Sequence, residues 1–156
     1  MHANEQRIHD FYTAFASKDA EAMAAMYAED ARFSDPVFPE LGADEVRAMW
    51  RMLISRGTDL ELSFDGVSAT DELGHAHWDA TYTFRATGRL VRNSIDASFR
   101  FRDGHIVEHR DDFSLWRWTR MALGSKGTLL GWTPLVQRKV RRMAARQLEK
   151  FMAVSP

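Results

Sequence analysis

Three ionisable side chains stand where their types and spacing could move protons. Asp35 ends an alternating run, Ala-Arg-Phe-Ser-Asp-Pro-Val-Phe at 31–38, and Pro36 behind it holds the aspartate extended and fixes the direction of its carboxyl. His109 and Asp111 sit two apart in Ile-Val-Glu-His-Arg-Asp at 106–111, so on a strand both point to one face. A carboxylate at the mouth of an aromatic cavity is a base whose pKa is lifted by desolvation, and a histidine oriented by a carboxylate can act as general acid or base. Two readings stay open for each. Asp-Pro after a strand is also an ordinary turn starter whose carboxylate accepts a backbone N–H. The histidine and its aspartate are equally a hydrogen-bonded polar pair on a cavity floor.

The elements that must position these groups follow from the period of the apolar residues. Ile8, Phe11, Tyr12 and Phe15 recur at spacings of three and four, which predicts an amphipathic helix over 4–17 capped by Asn4. Asp19 is placed to cap a second short helix, 20–28, burying Met23, Met26 and Tyr27, and a strand follows near 31–35. Residues 44–56 carry Val46, Met49, Trp50, Leu53 and Ile54 on one stripe, stopped by Gly57. The period then drops to two. Leu60, Leu62 and Phe64 are inward, then Ala76, Trp78, Ala80, Tyr82 and Phe84, then Ile95, Ala97, Phe99 and Phe101. Asp103-Gly104 makes a tight hairpin, and 105–113 returns as the last strand, with Val107, His109, Asp111 and Phe113 sharing one face. A short tryptophan-rich helix over 114–123 and a longer one from Thr133-Pro134 to about Met152 end the chain. The last helix is read as burying Val136, Val140, Met143, Ala144, Leu148 and Phe151, and Trp116, Trp118 and Trp132 as anchoring this extension.

Composition narrows the function classes. With 156 residues, 45% of them hydrophobic and 12% aromatic, the chain is read as one domain with a sizeable core. The absence of cysteine removes disulfides, thiolate zinc sites and a cysteine nucleophile, and fits a reducing, cytoplasmic setting. A polar start and the lack of a long apolar run argue against secretion and membrane insertion. Net charge is −1, yet residues 117–156 hold nine Lys and Arg against one acid. This basic tail is read as lying on its own body or on a partner subunit, ahead of anionic lipid or nucleic acid, for which no motif is present. His75 and His77 beside Asp79 are read as solvated strand residues rather than a metal site. No glycine-rich phosphate loop, Ser-His-Asp order or zinc signature is found.

The order helix, helix, strand, helix, meander, with Tyr-Ala-Glu-Asp-Ala-Arg-Phe-Ser-Asp-Pro at 27–36 and Phe-Arg-Phe-Arg-Asp-Gly-His-Ile-Val-Glu-His at 99–109, resembles the nuclear transport factor 2-like superfamily. That group includes ketosteroid isomerases and SnoaL-like polyketide cyclases. The resemblance covers residues 5–115. It implies an α+β, cone-like fold with the N-terminal helices packed in a strongly curved mixed or antiparallel sheet, here with a helical extension over 116–156. An apolar cavity and a homodimer through the sheet are also implied. By the resemblance, Asp35 takes the place of the isomerase base, Phe11 that of its oxyanion-binding tyrosine with Tyr12 next to it, and Asp96 that of its second carboxyl. Strand alternation puts Asp96 on the outer face. The cyclases' last-strand acids correspond to His109 and Asp111, and a further aspartate of theirs is Ser114 here.

The expectation is therefore a small-molecule enzyme of isomerase, cyclase or hydratase type that needs no cofactor or metal. Asp35, His109 and Asp111 are its acid and base groups, and Phe11, Tyr12, Trp50, Trp78, Tyr82, Phe99 and Phe113 line a site for an apolar, carbonyl-bearing ligand. The alternative is a non-catalytic ligand-binding or dimeric scaffold domain of the same fold.

Overall fold

The computed structural model describes residues 1–154. Helix α1, Ala3–Ala16, buries Ile8, Phe11, Tyr12 and Phe15 as the spacing requires. Its cap is His2 rather than Asn4: His2 Nδ1 accepts the Asn4 N–H at 3.0 Å. Asn4 is already inside the helix, and its amide donates to the Thr70 and Asp71 carbonyls at 2.9 and 3.1 Å, tying the helix start to the sheet. Helix α2, Ala20–Ala25, is capped by Asp19 as expected but is shorter than the predicted 20–28. Tyr27 leaves it and starts strand β1, Tyr27–Ser34, where the aromatic residue packs on the inner face. Helix α3, Ala43–Arg56, buries Val46, Met49 and Trp50, with the Glu45 carboxylate accepting the Gly42 N–H at its start and Gly57 at its end.

The meander is β2, Glu61–Ala69; β3, Leu73–Phe84; β4, Arg89–Arg102; and β5, His105–Asp112. The sheet order is β1-β5-β4-β3-β2, with β1 parallel to β5 and every other pair antiparallel. Asp103 and Gly104 both have positive φ (51° and 78°), which the tight turn between β4 and β5 demands. Register shifts interrupt β1, β2 and β5. Each extra residue bends its strand and raises its twist, so the open sheet curves as a cone around α1 to α3.

The β5 shift changes one expectation. Phe101 pairs with Ile106 and Arg100 with Glu108, so Val107 is the extra residue, and Ile106 rather than Val107 takes the buried position. Beyond this bulge, His109 and Asp111 are inward, as parity predicted.

The extension departs most from expectation. Helix α4, Leu115–Leu123, capped by Ser114, packs Leu115, Trp118 and Ala122 against Val91 of β4. An unanticipated helix, α5, Ser125–Leu130, crosses α4 so closely that a side chain at Gly127 or Gly131 would collide with Thr119. Six residues with a glycine inside give too little periodicity to read. Helix α6, Pro134–Val154, buries only Leu148 fully. Val136, Val140, Ala144 and Phe151 are partly covered, whereas Met143 is exposed because it lies just off the stripe facing α3. Trp118 does anchor the extension, but Trp132 is 64% exposed and bonds only to its own turn, through the Leu129 carbonyl.

Candidate active site

The sheet register brings the interior groups together. Phe33 of β1, His109 of β5, Phe99 of β4 and Gly74 of β3 form one row across the inner face. Asp111, Ala97 and Ala76 form the next. Beyond that, Ile95, Trp78 and Phe64 make a third. Two alanines beside Asp111 leave the sheet low there, and α1 brings Tyr12 over it. Because Phe33 pairs with His109 and Ser34 with Arg110, Asp35 emerges from β1 level with Asp111.

His109 has no exposed side-chain surface. Phe99 lies against it at 4.3 Å between ring centres, Phe33 meets it edge-on at 5.0 Å, and Phe11, Tyr27 and Trp50 complete the cage. Trp50 Nε1 donates to the Tyr27 hydroxyl at 2.9 Å, the hydroxyl donates to His109 Nδ1 at 2.7 Å, and His109 Nε2 donates to Asp111 Oδ1 at 2.9 Å. The Asp111 carboxylate can only accept, so in the neutral histidine the ring hydrogen sits on Nε2 and Nδ1 accepts the tyrosine proton, while Trp50 Nε1 donates to a lone pair of the tyrosine oxygen. This chain orients the Asp111 carboxylate from behind.

The front of the cluster is under-satisfied. The Tyr12 hydroxyl and Trp78 Nε1 are buried donors without partners among the described residues, and buried polar groups in native folds are rarely left so. Burial first, then the negative charge of Asp111, raises the Tyr12 phenol well above its usual range, so it stays a proton donor. Burial likewise raises Tyr27. Among the described residues, Asp111 uses only Oδ1 in a hydrogen bond.

Asp35 combines both of its sequence readings. Its Oδ1 accepts the Val37 and Phe38 N–H groups at 2.7 and 2.6 Å, the turn-starting role. Its Oδ2 takes no hydrogen bond among the described residues. Burial, reinforced by the charge of Asp111 and opposed by the two amides, pushes the carboxyl from 3.8 up to about 7. The group is only partly buried, so protons can exchange with solvent.

The remaining aromatic candidates divide. Phe11, Trp50 and Phe99 are packed walls of the histidine cage. Tyr82 and Phe113 are partly buried, on the side where α4 covers the cone, and Trp118 Nε1 donates to the Tyr82 hydroxyl at 2.7 Å. Helix α6 closes the same side, with Arg141 Nε donating to the Pro36 carbonyl at 2.8 Å, next to Asp35. Two clefts of about 370 and 870 Å³ lie elsewhere on the surface, and neither is lined by Asp35, His109 or Asp111.

Sequence reasoning misses two interior residues. The spacing puts Tyr27 in a helix, although it shares odd parity with Ala31, Phe33 and Asp35. Asn93 is a buried amide between Val91 and Ile95 with no side-chain hydrogen bond among the described residues. A polar residue at an inward position of an apolar strand is the available signal.

Asp96 is exposed and faces outward, as alternation predicted. It holds His77 Nδ1 at 3.0 Å, and this contact, with that of Asp79, raises the histidine's pKa despite desolvation. Ser94 Oγ lies 3.2 Å from His77 Nε2 but donates to Asp79 at 2.6 Å, so the histidine, already held between two carboxylates, is not poised to take the serine proton.

The family described as SnoaL-like domain matches residues 8–109. No curated protein matches the chain. An NTF2-like protein of unknown function from Burkholderia pseudomallei is 24% identical, with a TM-score of 0.68 over 78% of this chain and 98% of that one. IdmH, a putative polyketide cyclase from Streptomyces antibioticus, is 22% identical, with a TM-score of 0.63 over 75% and 96%. A putative SnoaL-like polyketide cyclase from Jannaschia sp. CCS1 is 13% identical, with a TM-score of 0.68 over 78% and 92%. At such identities these neighbours establish the shared NTF2-like fold. The family match ends at residue 109, before the helical extension begins.

Proposed function

The chain belongs to the SnoaL-like domain family, and we propose that it is an acid–base enzyme of isomerase or cyclase type acting on an apolar, carbonyl-bearing small molecule. The observation that carries this reading is the pairing of a carboxyl lifted to about 7 with two buried donors that have no hydrogen-bond partner among the described residues. In the proposed step, Asp35 Oδ2 takes a proton from the carbon beside the carbonyl. The electron pair moves to the carbonyl oxygen, where the Tyr12 hydroxyl and Trp78 Nε1 donate to the developing charge. The carboxylic acid so formed on Asp35 returns the proton at the new position, or the enolate carbon attacks a second carbonyl of the same molecule. In the latter case the π bond of that carbonyl breaks as the carbon–carbon bond forms, and Asp35 gives its proton to the resulting alkoxide. Asp111 touches the reacting region through its free oxygen and raises the basicity of Asp35 by its charge. His109, with both nitrogens engaged, is a positioning residue for Asp111.

Two structural neighbours are described as a putative polyketide cyclase and a putative SnoaL-like polyketide cyclase, and polyketides are carbonyl-bearing molecules. Ligand entry in this scheme requires α4 and α6 to move aside near Pro36. The complete enclosure of His109 favours a second reading, in which the fold holds a small ligand without turning it over.

Proton exchange separates the two. With 2-tetralone as probe, wild-type protein is expected to speed deuterium incorporation beside the carbonyl, followed by NMR, and Asp35→Asn and Tyr12→Phe each to slow it at least 100-fold. Binding without any wild-type exchange across a panel of enolisable ketones would leave only the ligand-holding reading.

A further inference from the structure

The tip of the extension carries an apolar surface that the acid–base site does not use. Leu129 is 70% exposed, Leu130 52%, Trp132 64% and Leu135 77%. They fall within seven consecutive residues, Leu-Leu-Gly-Trp-Thr-Pro-Leu at 129–135. The packing of α5 explains why they face out. Gly127 and Gly131 lie against Thr119 of α4 with no room for a side chain, so the leucines and the tryptophan project from the opposite side. Single exposed apolar residues are ordinary on a protein surface, but four in one turn are not.

The charge around this tip has one sign. Lys126 precedes it, and Arg138, Lys139, Arg142 and Arg146 follow on α6, all exposed. Counted from Leu135, they stand at helical offsets of three, four, seven and eleven, which places them on one stripe continuous with the apolar tip. The other side of α6 is committed to the body through Leu148 and through Arg141 on Pro36. Over residues 117–156 there are nine basic side chains and one acid, against an acidic remainder.

We propose that this tip and the outer stripe of α6 dock the protein on a bilayer surface that carries anionic lipid. Exposed leucines and a tryptophan enter the interfacial layer while the flanking cations meet the headgroups, an arrangement that lies on a membrane without spanning it. No helix among the described residues is long and apolar enough to cross one. Nucleic acid would use the cations but leave three leucines in water, and a second copy of this chain would set two basic stripes against each other.

The test is co-sedimentation of the full chain with vesicles. Vesicles of equal phosphatidylglycerol and phosphatidylcholine are expected to bind it at least 10-fold more tightly than phosphatidylcholine alone, with the difference shrinking in 0.5 M salt. Arg138→Gln/Lys139→Gln/Arg142→Gln should weaken binding by roughly 100-fold, at about fivefold per charge near an anionic surface. Leu129→Ser/Leu130→Ser/Trp132→Ser should weaken it at least 10-fold while the protein stays folded by circular dichroism, because more than half of each residue is already exposed to water. Wild-type protein that stays in the supernatant at millimolar anionic lipid would overturn the proposal. So would equal binding by either variant, self-association by light scattering that the serine variant abolishes while vesicles are ignored, or tighter binding to a DNA duplex that the serine variant retains.

Discussion

Replacing Asp35 by asparagine is expected to make the protein more stable at pH 8 while removing its proposed base. The carboxyl titrates near 3.8 unfolded and at about 7 folded. At about 1.4 kcal/mol per unit, the destabilisation of the charged form has a ceiling of about 4 kcal/mol. Asp35 retains contact with solvent, which screens the charge, and we discount this to about 2 kcal/mol. The sign follows from proton uptake. Between about pH 4 and 7 the folded state binds a proton that the unfolded state has lost, so this group's contribution falls as pH rises through that window and is fully lost above it. Asparagine keeps an oxygen for the Val37 and Phe38 amides but never carries the charge.

Urea unfolding at pH 4, 6 and 8 reads the difference. With a slope of about 2 kcal/mol per molar, the Asp35→Asn midpoint should exceed wild type by about 1 M at pH 8 and match it at pH 4. Groups not coupled to Asp35 titrate alike in both proteins, so the difference isolates Asp35 together with the neighbours its charge touches, Asp111 and Tyr82. A difference that does not change with pH, or a variant weaker than wild type at pH 8, would refute the reasoning. The two amides would then be stabilising the carboxylate, and Asp35 would be a turn residue alone.

Other substitutions probe the rest of the cluster. Tyr27→Phe strands Trp50 Nε1 and the His109 Nδ1 acceptor in the interior. At about 1–3 kcal/mol per unpaired group, melting temperature should fall by roughly 5–15 °C in calorimetry; a drop under 2 °C would mean the chain of hydrogen bonds is not holding. Tyr12→Phe should leave melting temperature within about 2 °C, since the lost hydroxyl has no partner among the described residues. Marked destabilisation would instead reveal a bond made inside the protein. Gly127→Ala drives a methyl group into the Thr119 carbonyl and should cost about 2 kcal/mol or more in urea unfolding. Arg141→Ala removes the tie to Pro36 and should speed amide exchange in α6 without altering β3 or β4, measured by mass spectrometry.

Helices α1 and α3, strands β3 and β4 and the Asp103-Gly104 turn are legible in the sequence, because repeats of three-four and two are properties of a single segment and its immediate neighbours. Alternation also places His109 and Asp111 inward and Asp96 outward. The bulge at Val107 is not legible, because an extra residue is defined only against the partner strand. Neither is the six-residue α5, whose existence depends on glycines fitting against Thr119.

Residue types and period thus determined which side chains lie on which face, since side-chain direction is set by backbone geometry within a few residues. Tertiary structure alone decided what they meet: that Tyr27 turns toward the histidine, that Asp111 lies beside Asp35 and shifts it, and that Tyr12 and Trp78 are left without partners among the described residues. Those outcomes depend on distances between atoms far apart in the chain, and burial and Coulomb energies are functions of such distances rather than of order along the sequence.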